Sequence, residues 1–261
     1  MSTQNWNHII GDISEQSVYS DEHSILFCGD CKEIIRNIAF CKEKYIAPSL
    51  IVTDPPYEFV ARGGGMYKDS KSMEKIRELG TDTFDFDKYV PQLLSWQSFI
   101  SGYVNAYFFC NKSLIGRYIE AAEKIGSSFD ILCMERMKSP PNHNGHYNPD
   151  IEYIIFIRGG GRAPFNSRLD EQGGWNDLYS KIFRWNGVME SKHPNEKPIS
   201  IMKKFISVSS LNGGLIIDPF IGSGTTAIAA RDLNRLCIGI DKDMQSITIA
   251  IDRLSQMTLG L

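Results

Sequence analysis

Two short stretches of this chain bring together residue types that could do chemistry. The first is Asp54-Pro55-Pro56-Tyr57, which follows the apolar run Leu50-Ile51-Val52. Its prolines fix φ and carry no N–H, so the turn is stiff and offers carbonyl oxygens. Asp54 supplies one acceptor, the Pro55 carbonyl a second, and Tyr57 an aromatic face. That set fits a planar amino group held by both hydrogens and stacked on a ring. An aromatic amine is a poor nucleophile because its lone pair is delocalised; acceptors on its two hydrogens favour pyramidal geometry and free the pair for attack. Alone, the same four residues also describe a proline-terminated strand with a packed tyrosine.

The second stretch runs from Asp218 through Pro219, Phe220, Ile221, Gly222, Ser223, Gly224 and Thr225 to Thr226, between an apolar strand and a helix. Gly222 and Gly224 allow the backbone to approach a ligand. There is no Gly-Lys-Ser/Thr, so no lysine is placed for a triphosphate, and the third glycine of a dinucleotide fingerprint is missing. Asp241 ends the next strand, where a carboxylate commonly holds ribose hydroxyls. The three features together suit a ligand that contains a ribose and is largely uncharged at the loop. A lone G-x-G would equally describe an ordinary strand–turn–helix corner.

The elements that carry these stretches can be read from periodicity. Short apolar runs predict strands at 24–30, 50–57, 103–110, 129–136, 150–158, around Ile216-Ile217 and around Ile238. Helical spacing follows Asp30 and recurs at 89–102, 113–126, 199–210, after Gly224, and at 244–257. Strands alternating with helices imply an α/β fold with a mostly parallel, doubly wound sheet covered on both faces. Both chemical stretches then lie at carboxyl ends of strands, where ligands bind in such sheets. Residues 1–23 are polar and aperiodic and read as an N-terminal arm. Residues 58–83 and 138–149 read as loops, and 159–192 as an insert rich in Gly, Asn, Arg and Trp.

Composition sets the outer bounds. The chain has 261 residues, 42% hydrophobic and 23% charged, enough for one large domain without disulfide or metal staples. No apolar run reaches the roughly 18 residues of a membrane span, and no secretory signal opens the chain, so a cytoplasmic location is expected. The net charge of −3 argues against a nucleic-acid coat protein but leaves room for a local basic surface. Cys28 and Cys31 form a C-x-x-C without the second pair that zinc requires, and no metal is expected.

Taken together with His193-Pro194-Asn195-Glu196-Lys197-Pro198, the two stretches resemble the amino-group DNA methyltransferases, in the subgroup whose DPPY turn precedes the cofactor loop. The match is in order: Gly29-Asp30, then Asp54 to Tyr57, the 159–192 insert, the His193–Pro198 segment, and Asp218 to Thr226. It spans roughly 24–256. The resemblance implies a Rossmann-like, seven-stranded sheet with permuted motif order, a catalytic domain made of 24–158 and 193–261, and a target-recognition insert at 159–192. It implies S-adenosylmethionine lying across Phe220–Thr226, with Asp218 and Pro219 at the head of that loop also in contact with it, Asp241 on the ribose, Asp30 and Cys31 at the adenine, and Lys197 near the methionine end. The target base would be flipped onto Tyr57, and the methyl would pass directly to its amine. Asp at the first position of the turn points to adenine N6, with cytosine N4 the alternative. Two positions depart from the family: Cys133 to Arg136 stand where relatives often have Trp and Lys, and Ile151 replaces the His before Glu152.

DNA is the expected partner; the sequence is compatible with a monomer or homodimer, and with a restriction endonuclease partner or none. Residues 158–192 hold six cations against four carboxylates. Arg158, Arg162, Arg168, Lys181 and Arg184 could hold phosphates or read base edges, and Trp175 and Trp185 could wedge or stack. Methylation of RNA or a protein glutamine, which goes with Asn in place of Asp54, and a DNA-binding regulator on an inactive scaffold are the competing classes.

Overall fold

The computed structural model describes residues 6–38, 46–56, 85–136, 147–148, 150–166, 180–185 and 196–258. In chain order these form α1 (Asn7–Ile10), a 3₁₀ turn (Gly11–Gln16), β1 (Tyr19–Ser20), β2 (Ser24–Cys28), α2 (Cys31–Asn37), β3 (Pro48–Thr53), α3 (Phe86–Ser101), β4 (Val104–Cys110), α4 (Ile115–Lys124), β5 (Ser128–Arg136), β6 (Ile151–Gly159), β7 (Ile182–Trp185), α5 (Ile199–Ser209), β8 (Leu215–Asp218), α6 (Thr225–Asp232), β9 (Leu236–Asp241) and α7 (Met244–Thr258).

The strands form one sheet in the order β1-β2-β9-β8-β3-β4-β6-β5-β7. Strands β2, β9, β8, β3 and β4 are mutually parallel. Strand β6 runs antiparallel between β4 and β5. This is the Rossmann-like α/β fold expected, but among the described residues the sheet has nine strands rather than seven. The two additions are edge strands. β1 comes from the lead-in and pairs antiparallel with β2. β7 comes from inside the 159–192 insert and pairs parallel with β5. Neither shows a long apolar run, because an edge strand is buried on one side only and needs none.

The central strands are buried on both faces, which is why they read as continuous apolar runs. Every residue of β3 and β4 is buried. Alternation along them feeds two cores: Ile51, Ala106 and Phe108 pack under α2, α3 and α4, while Leu50, Val52 and Tyr107 pack under α5, α6 and α7. The lead-in is also packed rather than loose. Trp6, Ile9, Ile10 and Ile13 are buried in the first core, and the Trp6 indole donates to the Asp21 carbonyl at 2.8 Å. The four stand at i, i+3, i+4 and i+7, a helical spacing that marks this docking face although the stretch is too short and polar to read as a core helix on composition. Among the described residues, no helix is long and apolar enough to cross a membrane.

Candidate functional site

Parallel order puts four carboxylates in a row. Strands β2, β9, β8 and β3 are neighbours, and their carboxyl ends carry Asp30, Asp241, Asp218 and Asp54 respectively. The glycine loop and the Asp54 turn therefore sit side by side at one edge of the sheet, although a long stretch of chain separates them.

The loop is built from within. Asp218 is 3% exposed. Its Oδ1 accepts from the Thr53 hydroxyl at 2.8 Å and the Phe220 amide at 3.1 Å, and its Oδ2 from the Thr226 hydroxyl at 2.6 Å. Burial pushes its carboxyl up to about 7, against those three hydrogen bonds. Asp218 thus faces inward and fastens the loop, where the resemblance implied contact with the cofactor. Ser223, Thr225 and Thr226 are likewise buried. Arg253 of α7 donates to the Ser223 carbonyl at 2.7 Å and to its hydroxyl at 3.1 Å, lies 3.2 Å from the Thr225 hydroxyl, and is ion-paired with Glu196. Thr225 donates to Glu196 at 3.3 Å. These side chains hold the loop's shape and leave its backbone to face a ligand.

The two glycines differ in purpose. Both have positive φ, +51° at Gly222 and +84° at Gly224, a region that L side chains rarely adopt. A Cβ on Gly224 would stand 2.8 Å from the Ala250 Cβ of α7, so that glycine serves helix packing; a Cβ on Gly222 would meet nothing within 4 Å, so that glycine opens the cradle. Phe220 packs edge-to-face on Tyr89 with ring centroids 5.7 Å apart.

Asp241 lies across the loop. Its Oδ2 accepts from the Gly222 amide at 2.9 Å and its Oδ1 from the Asp243 amide at 2.8 Å. Burial raises its carboxyl above the usual range, with the backbone amides opposing. A carboxylate offers about four acceptor sites, so the group keeps capacity for a further donor. Asp30 caps α2 through the Lys32 amide at 2.8 Å and pairs with Lys242 at 3.0 Å. Burial pushes its carboxyl up, but Lys242 and the Lys32 amide outweigh that and hold it below the usual range. Cys31 is buried in the first core, its thiol pushed up to about 11 by burial, so its side chain faces the core and not the groove.

At the other end of the row, Lys197 Nζ stands 2.7 Å from Asp54 Oδ2, is ion-paired with Glu152 of β6, and lies 4.9 Å from the centre of the Phe109 ring. Burial would lower the lysine, but the two carboxylates outweigh it and raise it. Lys197 is thus joined to the Asp54 turn. Pro55 is buried and Pro56 half-buried; Tyr57 lies outside the described residues.

The basic residues in and beside the insert are spread over different duties. The Arg158 guanidinium donates to the Ala163 carbonyl at 2.8 Å and lies over the Phe165 ring. Lys181 pairs with Asp130, and Arg184, 86% exposed, lies 3.5 Å from Glu135. Arg162 is exposed. Arg168, Trp175 and the Trp185 side chain lie outside the described residues. Sequence reasoning missed Lys242, in the bend after β9, Arg253 of α7 and the pairing of Glu196, since a charged residue looks the same in sequence whether it meets water or a partner.

Comparison with known proteins agrees with this architecture. Residues 49–252 match the profile of the N6/N4 methyltransferase family, described as DNA methylase. The type II methyltransferase M2.LlaDCHI of Lactococcus lactis subsp. cremoris is 27% identical over 96% of this chain and 97% of its own length. M2.MboI of Moraxella bovis is 31% identical, over 49% of this chain and half of that protein. The DNA adenine methyltransferase YhdJ of Escherichia coli K12 is 24% identical over 87% of this chain and 84% of that protein. Among solved structures, M1.HpyAVI in complex with S-adenosylmethionine shares the fold with a TM-score of 0.65 at 20% identity, covering 88% of this chain and 98% of that one. The cytosine-N4-specific PvuII DNA methyltransferase does so at 0.60 and 13%, covering 90% and 88%. With a family match that covers most of its length, the chain belongs to the N6/N4 DNA methylases.

Proposed function

We propose that this DNA methyltransferase moves the methyl group of S-adenosylmethionine to N6 of an adenine flipped out of DNA. The observation that carries the reading is the neighbouring placement of the Asp54 turn and the glycine loop, at the ends of the adjacent parallel strands β3 and β8.

The residues present suit the donor. Gly222 opens onto free space, and Asp241 keeps acceptor capacity beside it for a ribose diol. Asp30, at the end of β2, can accept from an adenine amino group. The loop Pro219–Thr226 carries no lysine or arginine, as suits a ligand without phosphates. When bound, S-adenosylmethionine supplies a methyl group activated by its sulfonium.

The remaining work falls to the chain. Asp54 accepts one hydrogen of the target amine and the Pro55 carbonyl the other, which localises the nitrogen lone pair for attack. Tyr57 stacks on the flipped base. Residues 24–158 and 193–261 act as the catalytic domain, and 159–192 as the target-recognition insert, adding β7 to the sheet next to β5.

Adenine is favoured by Asp54 at the head of the turn. The adenine-specific relative from E. coli points the same way, while the cytosine-N4-specific neighbour shares only the fold at 13% identity. Digestion of methylated DNA to nucleosides, followed by mass spectrometry, tests the assignment. N6-methyladenine is expected; N4-methylcytosine alone would overturn the base and leave the amino-group chemistry in place.

A further inference from the structure

We infer that Lys197 and Glu152 are positioning residues for methyl transfer: Lys197 holds the Asp54 carboxylate in place, and Glu152 offsets the lysine's charge so that the amine reacts beside a net negative group. The inference rests on the methyltransferase reading above and concerns how its Asp54 turn is prepared.

Three segments meet here. Lys197 precedes α5, Asp54 follows β3, and Glu152 lies on β6. The ammonium is 2.7 Å from Asp54, is ion-paired with Glu152, and faces the Phe109 ring at 4.9 Å. An ammonium has three hydrogens to share, and these are its partners among the described residues. The exposures order the roles: the side chains of Lys197 and Glu152 are 13% and 10% exposed, and Asp54 is 27% exposed. Asp54 is therefore the member a substrate can reach, and the other two lie behind it.

The charge count gives Glu152 its purpose. In the reaction the amine lone pair forms the new N–C bond. The S–C bond breaks with its electron pair returning to sulfur, and positive charge appears on nitrogen. One of the amine's protons then leaves to the Asp54 carboxylate and on to solvent. Two carboxylates and one ammonium give this cluster a net charge of −1, which favours that developing charge in a partly buried site. Without Glu152 the lysine would cancel Asp54 and the cluster would be neutral. Without Lys197 the two carboxylates would face each other and share a proton. Other titratable groups sense the same cluster. Asp218, Cys110 and Tyr118 all interact with Asp54. Burial keeps the thiol and the phenol neutral, and Asp218 is common to every variant compared.

The experiment is single-turnover transfer of labelled methyl from S-adenosylmethionine into DNA lacking base modification, across pH, with cofactor affinity and melting temperature measured in parallel. Glu152→Gln is expected to slow transfer by about tenfold or more with cofactor affinity unchanged within about twofold. Lys197→Met is expected to displace the rate–pH profile upward by about one to two units. The double variant restores the net charge of −1, so it should return the profile toward that of the parent and melt above Lys197→Met. Equal rates for parent and Glu152→Gln, cofactor affinity falling in step with the rate, or a double variant whose profile stays with Lys197→Met would overturn the inference. A parent that methylates no DNA would instead overturn the functional reading, and the melting temperatures of the Lys197 pair would still decide the charge pairing.

Discussion

The Thr53 hydroxyl donates to Oδ1 of Asp218 at 2.8 Å. The residue just before the Asp54 turn is thereby fastened to the residue that opens the glycine loop. The same carboxylate accepts from Thr226 at the head of α6. One buried acid thus sets the distance between the end of β3 and the start of α6, the two places where base and donor are proposed to meet.

Asp218 should make stability depend on pH. Its folded-state value of about 7 lies above the 3.8 of a free carboxyl, through burial first. A raised acid contributes stability that is fully present below the unfolded value and is lost as pH rises through the folded one. Asp218→Asn keeps the shape and removes the titration. The parent's melting temperature should fall between pH 4 and pH 7 more steeply than the variant's, and parallel curves would show that the acid is ionised throughout.

Asp54→Ala should lower the rate of methyl transfer by about 10³ or more while leaving cofactor affinity within a few-fold. Asp54 addresses the amine; the loop and Asp241 address the donor. Calorimetry beside single-turnover kinetics separates the two, and an equal loss of affinity and rate would remove that division.

Asp241→Ala should weaken S-adenosylmethionine binding by about 1.5–3 kcal/mol, the range for hydrogen bonds to a charged group. Part of that loss would come from the Gly222 amide, which donates to this carboxylate. Asp241→Asn keeps an acceptor for one of the two amides and should fall between parent and Ala. An unchanged dissociation constant in both would leave Asp241 as a strand-end residue alone.

The arginines in and beside the insert should separate into two kinds. Arg184 is 86% exposed, and each phosphate contact adds about −0.9 to the slope of log K against log salt. Arg184→Ala should flatten that slope by about one unit in a DNA-binding titration. Arg158 is occupied by the Ala163 carbonyl and the Phe165 ring, so Arg158→Ala should lower the melting temperature and leave the slope alone.

What the sequence determined by itself was local. Apolar runs marked β3 and β4 because both faces of a central parallel strand are buried. Helical spacing marked α5 and α7, and the punctuation of Pro55, Pro56, Gly222 and Gly224 marked the turns, because these residues restrict or release φ wherever they occur. The order of the motifs was enough to reveal the family. What tertiary structure decided was every relation that crosses the sheet. Strand order brought Asp30, Asp241, Asp218 and Asp54 into one row. Packing against Ala250 made Gly224 a residue of the fold, whereas Gly222 lines the cradle. Burial turned Asp218 inward, and the meeting of β3, β6 and the segment before α5 gave Lys197 two carboxylates. Edge strands β1 and β7, buried on one side and short, needed no apolar run and appeared only when the sheet did. A periodic pattern says which face of an element is buried; it carries no record of the partner that buries it.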